Sequence, residues 1–252
     1  MNQEQLKIVR GSEISDFNAW VWEFNRKNWP EFMFKDPVAA ACWLALEQQF
    51  SDYQFALTDK STSAIVAQVN SLPLAWDSPL DELPETGWDW ALQQGVSDRK
   101  SGKPSMIQCA LQIAIGPEYR GQGISAYALQ VMKQIGREKG LTCLVAPVRP
   151  NRKADYPAMP IVEYVRWTIE DGLPFDPWLR VHVRAGGEII KVCRQSLTIS
   201  GSVREWEEWS GMSFPVSGSY EVPGALTPVT IDREIDSGLY IEPNVWVRHS
   251  LR

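Results

Sequence analysis

Apolar residues recur at three- and four-residue spacing between positions 13 and 28, where Phe17, Trp20, Val21 and Phe24 share a face, and this pattern predicts an amphipathic helix. Asp36 followed by Pro37 reads as a second helix start, with Val38, Ala41, Cys42, Ala45 and Leu46 continuing one face. Residues 53–58 and 63–71 alternate or run apolar on either side of Asp59-Lys60-Ser61-Thr62, the signature of a hairpin. The following connection, residues 77–104, is too long for a turn; it is expected to hold a short helix near Trp88 and to act as a flap. Residues 106–115 are almost continuously apolar, as in a strand buried on both faces, and belong at the centre of a sheet.

Next come the turn Gly116-Pro117-Glu118-Tyr119-Arg120-Gly121-Gln122-Gly123-Ile124-Ser125 and a helical pattern through Tyr127, Ala128, Val131, Met132 and Ile135 as far as Gly140. A further apolar strand at 141–148 completes a strand, helix, strand unit with its two strands parallel. Beyond it the chain reads as a short helix from Pro177 that stops at Gly186-Gly187, a strand at 188–200, another short helix at 202–209 and a hairpin turning at Asp236-Ser237-Gly238. The expected fold is α/β, with a central mixed sheet flanked by helices. Residues 1–252 form one elaborated domain, with a core over about 1–200 and a strand-rich extension over about 201–252.

Composition narrows the function. The net charge of -6 argues against a nucleic-acid binder, which needs a basic footprint to neutralise phosphates. No apolar stretch approaches the roughly 20 residues of a membrane span, and no apolar leader follows Met1, so the expectation is a cytoplasmic protein. Cys42, Cys109, Cys143 and Cys193 stand singly, with neither CxxC pairs nor histidines at metal-ligand spacing; they read as buried apolar residues, and no metal is expected.

The turn from Arg120 to Ser125 carries the candidate chemistry. Glycines let the backbone fold tightly and approach a ligand, and the first turn of the following helix leaves amide N–H groups without helical partners, which together attract phosphate. Neither GxxxxGK[ST] nor GxGxxG is present. The segment instead resembles the GNAT superfamily of N-acetyltransferases, whose acyl-CoA site is marked by Q/R-x-x-G-x-G/A at a strand-to-helix junction. Arg120, Gly123 and Ser125 occupy the marked positions, serine replacing the usual small residue. The resemblance implies a fold in which the two strands flanking this helix splay apart. It further implies that the backbone of Ile113, Ala114 and Ile115 holds the pantetheine arm and that amides of Gly121, Gln122, Gly123, Ile124 and Ser125 hold the diphosphate of acetyl-CoA. The implied reaction is direct transfer of an acetyl group to the amine of a small molecule.

Acyl transfer needs a deprotonated amine and a proton donor for the departing thiolate. The family often uses a tyrosine four residues before a glycine for the second task, and here that place is taken by His182, before Gly186. Tyr164 and Tyr156 are rival acids. Residues 106–115 contain no carboxylate, so a base must come from elsewhere, Glu163, Asp77 and Glu242 being candidates. Trp76, Trp88, Trp90, Trp167 and Trp178 are candidates for the wall of an acceptor pocket, and Arg149, Arg152, Arg180 and Arg184 for contacts to an acidic acceptor or the CoA 3′-phosphate. A GNAT-fold sensor that binds acyl-CoA without turnover, and a transferase of longer acyl chains, are the competing readings.

Overall fold

A computed structural model describes residues 2–252 as an α/β unit built on one nine-stranded sheet. In chain order the elements are β1 (Leu6–Arg10), α1 (Phe17–Asn28), α2 (Pro37–Cys42), α3 (Leu44–Phe50), β2 (Gln54–Asp59), β3 (Ile65–Leu74), α4 (Gly87–Lys100), β4 (Ile107–Ile115) and α5 (Ile124–Glu138). They continue with β5 (Cys143–Val148), α6 (Ile161–Tyr164), α7 (Pro177–Arg184), β6 (Glu188–Gly201), α8 (Val203–Ser210), β7 (Gly218–Tyr220), β8 (Val229–Asp232) and β9 (Ser237–Ser250).

Strands β1 to β4 form an antiparallel run, and β5 lies parallel to β4. Only Gln108 with Leu144 and Cys109 with Val145 are in register across that parallel junction. Beyond those two pairs no register joins the strands, leaving an unpaired wedge toward their C-terminal ends. β9 pairs with β5 and β8 at opposite ends of one edge and with β6 along the other. The strand-rich segment after residue 200 is therefore woven into the sheet beside β5.

Alternation along the strands builds two layers. Leu144, Ala146, Val245 and Val247 meet α5, α6 and α7 on one face, while Val145, Cys109 and Trp246 meet α3 and α4 on the other. The structure departs from the sequence expectation in several elements, and the helix expected from Pro37 through Leu46 breaks at Trp43 into α2 and α3. β1 is a five-residue edge strand, too short for its alternation to stand out, and it pairs with β2. The 77–104 connection is not a flap: α4 runs for 14 residues, and its Ala91 and Leu92 are fully buried. Polar Gln93 and Gln94 beside Gly95 blunt the periodicity of α4, yet that glycine is what lets it pack, because a Cβ there would lie 2.5 Å from Leu72 Cδ1.

Candidate active site

The turn before α5 is shaped by two left-handed glycines, Gly121 at φ 74° and Gly123 at φ 77°. A Cβ on either would meet nothing within 4 Å, so glycine is required for conformation and not for packing against the protein. Gly123 is the N-cap of α5, and no side chain caps that helix. Its first amides are thus left to an outside acceptor, with the helix dipole adding partial positive charge. Beside them lies a 260 Å³ hollow lined by Asn2, Gln3, Leu6, Gln122, Gly123, Ile124 and Tyr127. Arg120 braces the turn, donating from Nε to the Ile115 carbonyl (3.3 Å) and from Nη2 to Asn28 Oδ1 (3.1 Å). Gln122 Nε2 donates to the Glu118 carbonyl at 3.1 Å. This arrangement suits an anion such as a diphosphate.

Ile113, Ala114 and Ile115 are in register with Val69, Gln68 and Ala67 of β3. Their other edge, past the last β5 partner, is bordered by no strand among the described residues. Such an edge can hydrogen-bond an extended amide-bearing chain. Leu111 is the extra residue of a β-bulge in β4, and its carbonyl accepts from Trp88 Nε1 at 2.9 Å. Trp88 in turn stacks on Trp43, with ring centroids 6.0 Å apart.

The proton-transfer candidates sit on the α5 face. His182 is 1% exposed, its Nδ1 lies 2.9 Å from His249 Nε2, and its Nε2 meets no partner among the described residues. Burial, followed by the neighbouring His249, pushes its pKa down to about 3, so the ring is neutral near pH 7; burial likewise lowers His249 to about 4. Tyr164 donates to Asp176 Oδ2 at 2.9 Å, and burial followed by that carboxylate holds its phenol protonated. Tyr156 packs in an aromatic cluster with Tyr164, Trp167 and Phe175.

On the opposite face stand two acids, Asp36 and Asp89, that were not among the sequence candidates for chemistry. Asp36 caps α2 through Ala39 N (2.6 Å), and Asp89, in the first turn of α4, accepts from Thr198 N (3.2 Å). Their carboxyls lie within hydrogen-bonding reach of each other, yet Asp36 Oδ2 and Asp89 Oδ1 meet no N–H or O–H donor among the described residues. Burial and the charge of Asp36 raise Asp89 to about 8, and burial also raises Asp36. Glu242 stands behind them but is fully engaged, accepting from Arg149 Nε (2.9 Å), Tyr240 OH (2.7 Å) and Asn244 Nδ2 (3.1 Å). Glu242 is therefore no free base, and Arg149, which follows β5, is not available to an acidic acceptor. The only sequence signal for this cluster was an acid, Asp89, set among the apolar residues of α4; Asp36 was legible only as a helix cap.

A twisted mixed sheet with one splayed parallel junction, an uncapped glycine-led helix at that junction and a free strand edge leading into it define an acyl-CoA transferase fold. The arginine N-acetyltransferase avaD of Aspergillus versicolor is 30% identical over 250 residues, a match that spans 88% of this chain and 85% of that one. The loading GNAT-like domain of CurA from Lyngbya majuscula superposes with a TM-score of 0.61 at 20% identity, covering 98% of this chain and 96% of that one. GphF, a GNAT-like decarboxylase solved with isobutyryl-CoA, gives 0.56 at 16% identity, covering 98% and 99%. No family model matches the chain. The chain belongs to the GNAT superfamily and is an acyl-CoA-dependent N-acyltransferase. The reading of the fold as a non-catalytic sensor is thereby set aside.

Proposed function

We propose that the enzyme transfers an acetyl group from acetyl-CoA to the amine of a small, positively charged acceptor, with arginine the first compound to test. The observation that carries this reading is the identity shared across most of both chains with a protein named for arginine acetylation. The acyl thioester supplies the activated carbonyl. The amides from Gly121 to Ser125 hold its diphosphate, the open edge at Ile113, Ala114 and Ile115 aligns the pantetheine arm, and the wedge between β4 and β5 brings the carbonyl to the acceptor. Direct attack follows within the complex of both substrates.

For the departing thiolate we assign His182, because its Nε2 is unengaged whereas the Tyr164 hydroxyl is committed to Asp176. Being neutral, the imidazole serves the thiolate in the tautomer that accepts at Nδ1 from His249 and carries its proton on Nε2, and not as a ready cation. The four unpaired cysteines suit a reducing, cytoplasmic setting. Release of thiol from acetyl-CoA on addition of arginine, followed by mass analysis of the product, tests the whole reading. Uptake of acetyl-CoA with no thiol released across a broad panel of amines would overturn it.

A further inference from the structure

We propose that the facing carboxyls of Asp36 and Asp89 form the receptor for the non-reacting positive charge of the acceptor, a guanidinium or an ammonium. This rests on the amine-acceptor reading above and names the residues that would make it selective.

Glu242 lies close enough to raise both Asp36 and Asp89, but the fold supplies Glu242 with a guanidinium, a phenol and an amide of its own. Among the described residues it supplies Asp36 Oδ2 and Asp89 Oδ1 with no N–H or O–H donor, although Asp36 is 0% exposed. A buried carboxylate without a counter-charge is costly, and two in contact more so, hence one proton is shared between them when no cation is present. A cation entering between them would replace that proton and recover two charge-assisted hydrogen bonds, for which a planar guanidinium is well shaped.

The position is also suitable. Asp89 directly follows Trp88, whose indole N–H touches the bulge carbonyl of Leu111 on β4. Arg149, paired with Glu242, directly follows β5. The acid pair thus lies next to a residue bonded to β4, and Glu242 beside it is bonded to the residue that follows β5. Trp88, the chain neighbour of Asp89, stacks on Trp43, and an indole face is a favourable surface for a guanidinium plane.

The test compares L-arginine with L-citrulline, which has nearly the same shape but an uncharged ureido group, on the full chain with acetyl-CoA. The wild type should favour arginine by about a hundredfold or more in kcat/KM, mostly through KM. Asp89→Asn keeps an oxygen for Thr198 N, and Asp36→Asn keeps one for the α2 cap, so both retain the local fold. Each should bring the preference below about tenfold by weakening arginine alone. Equilibrium binding of the two compounds in the presence of CoA reads the same preference without turnover. An inert protein that binds arginine in preference to citrulline, and loses that preference in both variants, would sink the transfer reading and uphold the acid pair. An active enzyme whose arginine preference survives both substitutions, or that never discriminates, would sink the pair and leave transfer intact.

Discussion

The two faces of the wedge solve opposite problems with different materials. On the α5 face the candidate donor site is made of backbone: left-handed glycines, an uncapped helix and a strand edge, all within residues 107–138. On the α2 and α4 face the candidate acceptor site is made of side chains from Asp36, Trp88, Asp89, Arg149 and Glu242, brought together from four separate stretches of chain. The first arrangement offers positive potential from backbone amides, and the second offers, in Asp36 and Asp89, carboxyl oxygens that no cation of the described residues neutralises. A backbone site recognises the shared part of a substrate class, whereas a side-chain site can change its preference by one substitution.

The sharpest break in the comparison is Gly123→Asp. Aspartate tolerates the left-handed region better than most residues, its Cβ meets nothing, and an acid beside a helix N-terminus favours the fold. The same acid opposes an incoming diphosphate. The KM for acetyl-CoA should rise by about a hundredfold, while the left-handed backbone at φ 77° lowers the melting temperature by only about a few degrees; an unchanged KM would detach this turn from the donor.

The next effect concerns the acid pair in the free enzyme. Asp89 ionises at about 8 in the fold against an ordinary 3.8, so the folded state holds the proton more tightly than the unfolded chain. Its contribution is complete in acid and is lost as pH rises from about 4 to about 8. Asp36 and Glu242 face it and oppose its ionisation, while Arg149 and Tyr240 are turned toward Glu242. Asp89→Asn should therefore melt higher than the wild type at pH 9, by about 5 °C, and the gap should close toward pH 5. Parallel melting curves across that range would refute the shared proton.

The same contrast explains what could be read in advance. The donor turn was legible because glycines, a strand and a helix follow one another locally, and the resemblance to GNAT enzymes rests on those few residues. The hairpin of β2 and β3 and that of β8 and β9 were legible for the same reason, each being an alternating pair around a turn. What escaped was long-range. Nothing near Ser237 announces that β9 will lie beside β5, nothing near Leu6 that β1 will pair with β2, and nothing in the spacing of Asp36 and Asp89 that they will meet. The helical character of α4 was hidden by its own packing device, since the glycine that admits Leu72 also interrupts the pattern.

A smaller effect separates chemistry from support at His182. Replacing it with Gln keeps a polar partner for His249, and His182→Ala removes it. If the ring serves the thiolate, both should lower turnover by about tenfold or more with the KM for acetyl-CoA nearly unchanged; full turnover in either would remove His182 from the reaction. Stability gives a second reading of the site. Both histidines are held below the ordinary value of 6.5, so the unfolded chain takes up protons first and the fold weakens as pH falls from 6.5 toward 4. His182→Gln should lose part of that acid sensitivity.

The mildest change tests the link between the two faces. Trp88→Phe keeps an aromatic ring against Trp43 but deletes the indole N–H that satisfies the Leu111 carbonyl at the bulge of β4. The loss should be about 1 kcal/mol in chemical denaturation, the scale of one hydrogen bond whose buried acceptor is left unpaired. If that bond also fixes the acid pair relative to the wedge, the KM for arginine should rise several-fold while the KM for acetyl-CoA holds. A rise in both would mean that Trp88 supports the opening between β4 and β5 itself, and the two faces would have to be treated as a single site.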